Sequence, residues 1–166
     1  RRSVAVDLKS SEGVAVVLRF VEQADVLLEG FRPGVMERLG LGYETLRAIN
    51  PRLVYAAIRG FGDPRSGTSP YADWPATELT MQALGGVMAI IGDPDRPPVR
   101  LGGEQASYVA GLNAAVATLL ALEARAHTGR GQVVDISIQE SLLTILGNIP
   151  ILFSHLATVA RRIGSR

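Results

Sequence analysis

The stretch Ala24-Asp25-Val26-Leu27-Leu28-Glu29-Gly30-Phe31-Arg32-Pro33-Gly34 decides the fold. Its first five residues form a short apolar run, which predicts a strand. Pro33 suits the first position of a short helix over Val35 to Leu39, and Gly40 suits the position just past its end. Working outward, Val4-Ala5-Val6-Asp7-Leu8 reads as another strand, and Ser10 or Ser11 caps the helix that follows it. Glu12 then lies in the first turn, where the helix dipole favours an anion. Val14, Val17, Leu18 and Val21 recur at i, i+3, i+4 and i+7 and give that helix one apolar face. Strand, helix and strand within about thirty residues make a βαβ unit, with parallel strands and a right-handed crossover.

Further along, Tyr43 to Ile49 predicts a helix ended by Asn50-Pro51, and Leu53 to Ile58 a third strand. Gly60 to Ala76 is rich in Gly, Pro and Ser and reads as a loop. A helix is expected over Thr77 to Ala89, an irregular loop over Gly92 to Gly103, and a long helix over Gln105 to Ala126, ended by Thr128-Gly129. Gln132 to Ile138 predicts a strand, and Gln139 onward a helix kinked near Pro150. The expected fold is therefore α/β: Rossmann-like, with a largely parallel sheet, flanking helices and one long buried helix. Residues 1–166 form a single domain, divided into a βαβ part (1–60), loops and a helix (61–104), and a long helix, strand and helix (105–166). Arg1 stands where an initiator Met would, and the sequence reads as a piece of a longer protein.

Composition narrows the functional classes. The 166 residues are 47% hydrophobic and 20% charged, with a formal net charge of +1 and no cysteine. That excludes a disordered tail, a disulfide scaffold and a thiolate nucleophile, and makes a reducing cytoplasm the expected setting. Near-neutrality argues against a protein that coats nucleic acid, so no nucleic-acid partner is expected. Lys9 is the single lysine among 17 basic residues, so any bound anion meets mainly guanidinium groups. Gln105 to Leu122 and Ser141 to Ala160 lack formal charge, but alanine and the Asn148–Pro150 break favour buried helices over membrane spans. His127 and His155 have no carboxylate at ligand spacing, so no metal is expected. Asp93 and Asp95, flanking a proline, read as a solvated turn.

The segment from Glu29 to Gly34 joins a strand to a helix at the edge where parallel sheets hold ligands. Arg32 and Arg38 flank it, and Arg59-Gly60-Phe61-Gly62 leaves the third strand at the same edge. Three guanidinium groups converging there suit a phosphorylated ligand, with Phe31 available to stack on a ring. Spacing leaves a second reading equally open, in which these are three solvated loop arginines.

At these residues the sequence resembles the class III CoA-transferases of the CaiB/BaiF type, which include formyl-CoA and carnitine-CoA transferases and α-methylacyl-CoA racemase. The resemblance rests on Val6-Asp7-Leu8-Lys9, the 24–34 stretch, Arg38-Leu39-Gly40, Asn50 to Tyr55, Arg59 to Gly62, Gln82 to Gly86 and Thr128 to Asp135, in family order. It implies an enzyme that moves CoA between an acyl-CoA thioester and a carboxylic acid. CoA is then the co-substrate, and the partner is a second copy of the chain in an interlocked homodimer. Members are over twice this length, with an N-terminal start and a C-terminal half that this sequence lacks. By the same resemblance, Val6, Lys9, Phe31, Arg32, Arg38, Arg59 and Gly60 contact the CoA adenosine and phosphates. Gly30 stands where the family often has Asn.

The family's aspartate nucleophile lies four residues before the glycine that is here Gly111, and that position is Ser107. A neutral serine without a base is a poor nucleophile. Glu104, three residues earlier, is the substitute carboxylate considered, with a plain surface glutamate at a helix start as its alternative. The racemase branch expects a His where this sequence has Thr77. Two readings follow, a CoA-transferase and a catalytically inactive CoA-binding half, with an acyl-CoA racemase-like branch as a further alternative.

Overall fold

The structure is a computed structural model that describes residues 2–67 and 69–164; Arg1 and Arg166, the two ends of the sequence, lie outside the described residues. Three parallel strands form one sheet in the order β1 (Val26–Glu29), β2 (Val54–Arg59), β3 (Val133–Ser137). Val26 pairs with Val54, and Tyr55 with Val133. Successive residues of a strand point to opposite faces, and β2 uses both. Tyr55 and Ala57 join a core with Val21, Met36, Leu41, Leu46 and Leu53, while Val54 and Ala56 join one with Ala121 and Val134. A central strand buried on both faces reads as a continuous apolar run, which is why Leu53 to Ile58 is legible as a strand.

Val4 to Leu8 corrects the expectation. These residues form no strand, and Val4 is exposed. A β-branched run becomes a strand only where a neighbour accepts its ladder, and here the Asp7 carbonyl instead accepts the Ser10 N–H and hydroxyl in a turn. The parallel crossovers therefore run from β1 to β2 and from β2 to β3, not from residues 4–8. The helix behind that turn, α1 (Ser11–Val21), forms as expected: the Ser10 hydroxyl accepts the Gly13 N–H and Val21 is buried.

Between β1 and β2 lie α2 (Val35–Arg38) and α3 (Tyr43–Ile49). Pro33 is not inside α2; Gly34, with φ 78°, precedes the helix. Asn50 ends α3 and its side-chain amide donates to the carbonyls of Val21 and Ala24, both at 2.9 Å, tying the end of α1 to β1.

Between β2 and β3 the expected Thr77–Ala89 helix is two pieces, α4 (Glu78–Leu84) and a 3₁₀ turn over Val87–Ala89. Gly85 cannot carry a side chain there, because a Cβ would fall 2.6 Å from Leu142 Cδ1. The long helix α5 (Gln105–Thr128) ends at Gly129. It is not the buried helix expected. Only an alanine stripe (Ala106, Ala110, Ala114, Ala121) is buried, while Leu112, Val116, Leu119 and Leu120 are 58–69% exposed. Apolar residues fill both faces of α5, so sequence periodicity could not mark which face meets the sheet. It is also the one described helix long and apolar enough by composition to cross a membrane. Past it, the Gly131 N–H donates to the Pro51 carbonyl at 2.9 Å. A Cβ on Gly131 would lie 1.9 Å from the Leu53 carbonyl oxygen, so only glycine lets the chain enter β3 here.

After β3 come α6 (Ile138–Ser141), a 3₁₀ turn (Leu142–Ile145) and α7 (Ile149–Leu156). Pro150 lies in the first turn of α7, where its missing N–H costs nothing. It starts a helix rather than kinking one.

Candidate functional site: a crevice at the C-terminal ends of the strands

β1 and β2 run parallel, so the turns that leave them, Gly30–Gly34 and Gly60–Gly62, emerge at one edge of the sheet. Together with the loop 72–76 they enclose a crevice of about 450 Å³, within the ~300–1,000 Å³ range of small-molecule sites. Phe31, Arg32, Arg38 and Gly60 line it. Phe31, Arg32 and Arg38 are all exposed, and Phe31 is 44% accessible. Lys9 lines a second depression that shares Arg38 with the crevice, and half-buried Val6 lines neither. All three arginines expected to converge border the crevice, but only Arg32 and Arg38 are exposed there.

Arg59 is the correction. It borders the crevice, but its guanidinium is 4% exposed and committed to carboxylates: Nη2 lies 2.6 Å from Glu29 Oε1, and Nη1 pairs with Asp63. Asp63 is held in turn by Arg65, whose Nη1 lies 3.3 Å from Glu37 in α2. Glu29 also accepts the Phe31 N–H at 2.7 Å, fixing the turn that presents the ring. The hydrogen bond from Arg65, reinforced by Arg59, holds the Asp63 carboxyl well below the usual carboxylate range despite burial. Two arginines flanking a glycine turn look alike in sequence whether they face solvent or a buried acid. Glu29, thirty residues before Arg59, is the signal that could have separated them.

Ser107 sits exposed in the first turn of α5, and Glu104 precedes that helix, exposed and making no side-chain cap. The carboxylate that meets Ser107 is one the sequence does not point to. Glu78, at the start of α4, accepts the Ala106 N–H at 2.7 Å and both the Ser107 N–H and hydroxyl at 3.3 Å. It also accepts the Gln82 side-chain amide at 2.7 Å. Burial pushes the Glu78 carboxyl up, but the donors from Gln82, Ala106 and Ser107 outweigh it and leave the group below its ordinary value. Glu78 thus supplies the acceptor for the free N–H groups of α5. The contact spans 29 residues, so no local pattern announces it. Thr77 caps α4, its hydroxyl accepting the Thr80 N–H at 3.2 Å. Among the described residues, no three His, Asp or Glu side chains gather as metal ligands.

Comparison with known proteins gives this crevice a family. The chain is 41% identical to an acetyl-CoA:oxalate CoA-transferase of Acetobacter aceti over 169 residues, covering all of this chain and 42% of that protein. It is 45% identical to a succinyl-CoA:mesaconate CoA-transferase of Haloarcula hispanica over 146 residues, covering 87% of this chain and 37% of that one. A crystal structure of a CaiB/BaiF family protein from Brucella suis superposes with a TM-score of 0.92 at 37% identity, over 98% of this chain and 42% of that chain. The chain therefore spans about two-fifths of the length of these relatives. The sequence model of CoA-transferase family III matches residues 1–166, and the chain belongs to that family.

Proposed function

We propose that the full-length protein transfers CoA between an acyl-CoA thioester and a carboxylic acid, holding the CoA nucleotide in the crevice between β1 and β2. The observation that carries this reading is that Arg32 and Arg38 share one crevice at the strand ends of a family III chain. Guanidinium forks match phosphate geometry, and the parallel sheet delivers them to the edge where such ligands sit. The named transferase relatives, which act on acetyl-CoA with oxalate or succinyl-CoA with mesaconate, support acyl-CoA and a small carboxylic acid as the substrate classes. The exposed Leu112, Val116, Leu119 and Leu120 ridge of α5 is an apolar surface that the rest of the full-length protein or a second copy in a homodimer covers.

In this reading Ser107 occupies the nucleophile position and Glu104 is the nearby exposed carboxylate. A second reading, the catalytically inactive CoA-binding half, is favoured by Glu78. A carboxylate held below its ordinary pKa and already accepting three other hydrogen bonds is a weak base for the Ser107 hydroxyl. The racemase-like branch draws no support from Thr77, whose hydroxyl is used as a helix cap. Ser107→Ala and Glu104→Gln in the full-length protein separate the first two. A fall of about 100-fold or more in CoA transfer with either variant supports chemistry at this position. Unchanged transfer in both assigns this segment to the inactive half.

A further inference from the structure

We propose that the indole of Trp74 is the ring-stacking wall of this crevice, receiving the adenine of the bound carrier while Arg32 and Arg38 take its phosphates. The inference rests on the reading of the crevice as the CoA site and adds to it a residue and a division of the ligand. Trp74 lines the crevice and is 56% exposed, an unusual state for the largest aromatic side chain. It is also held in place. Tyr71 meets it edge-on with ring centroids 4.8 Å apart, and Phe61 supports Tyr71 at 5.7 Å. Two aromatic residues from the loop after β2 thus support one exposed indole at the crevice wall.

Phe31 supplies a second exposed ring to the same crevice, on a turn whose backbone N–H donates to Glu29. Rigid aromatic faces beside two solvent-facing guanidinium groups suit a ligand that combines a flat ring with phosphates. In CoA only the adenosine 3′,5′-bisphosphate end has both; the pantetheine arm is a chain of amides and methylenes without a ring. Trp74 therefore acts on the nucleotide end.

Trp74 is the only tryptophan in the 166 residues, and the difference between parent and Trp74→Phe isolates its emission in the full-length protein. Adenosine 3′,5′-bisphosphate titrated into the full-length protein is expected to quench a component of the emission that Trp74→Phe removes. Trp74→Ala is expected to weaken bisphosphate binding about ten-fold by calorimetry, within the range for stacking one base on an aromatic ring. Trp74→Phe, which keeps a ring, should recover most of that loss and guards against a folding defect in the alanine variant. Pantetheine binding should be the same in all three proteins. Unchanged bisphosphate affinity in Trp74→Ala, with CoA binding still weakened in Arg32→Ala, overturns the inference and leaves the CoA reading standing. An effect confined to pantetheine also overturns it. Failure of both CoA and the bisphosphate to bind overturns the two together.

Discussion

Replacing Arg59 by alanine is expected to destabilise the fold by about 3–5 kcal/mol, the range for breaking a buried ion pair by removing one partner. Arg59 leaves the end of β2 with its guanidinium between Glu29 at the end of β1 and Asp63 in the following loop. The side chains of Glu29 and Asp63 are 2% and 4% exposed, so without Arg59 two carboxylates remain in a site from which water is excluded. Urea unfolding at neutral pH checks the loss, and a change below 1 kcal/mol would remove the network from the account. Its acid sensitivity has a fixed sign. Asp63 titrates below its unfolded value, so its contribution is complete above the ordinary carboxylate pKa, about 4, and falls away as the pH drops toward its folded value. Arg65→Ala, which removes the largest cause of that shift, should flatten that part of the stability–pH curve most, and Arg59→Ala should flatten it less.

Arg32 and Arg38 should behave in the opposite way. Both are exposed, and each truncation to alanine should leave folding stability within about 0.5 kcal/mol of the parent. The loss is expected in binding: about 1–3 kcal/mol of CoA affinity for each residue, the range for hydrogen bonds to charged groups, and more for the double variant. Added salt should shrink the difference, because these charges act through solvent-accessible space. Calorimetry that finds the double variant binding CoA like the parent would take both residues out of the site. The contrast with Arg59 is the useful part, since three arginines that look equivalent in the sequence divide into one that holds the crevice together and two that face what enters it.

Most of the fold was legible where local chemistry decides it. Tyr43 to Ile49 has the helix bounds expected, Ser10 caps α1, and the buried run at β2 reads as a strand because both its faces are covered. What failed depends on partners far along the chain. Val4 to Leu8 has strand composition but pairs with no strand among the described residues. At Ala121 the alanine face of α5 meets β2 and β3 because small side chains let the helix approach, Ala106 packs with Met81 and Leu142, and the larger residues that attract attention in the sequence are exposed. The crevice was partly legible: a glycine turn between strand and helix with flanking arginines marks the place. It does not tell a buried guanidinium from an exposed one, and it hides Glu78 beside Ser107, 29 residues away, and Trp74 in the same crevice as Arg32 and Arg38, which lie more than thirty residues before it.

A crystal structure of the full-length protein with CoA bound tests the central claim most directly. The account predicts the CoA pyrophosphate or 3′-phosphate within hydrogen-bonding distance of the Arg32 and Arg38 guanidinium groups, with Arg59 still paired to Glu29 and Asp63. CoA bound on another face of the sheet, with these two arginines left in solvent, would contradict it.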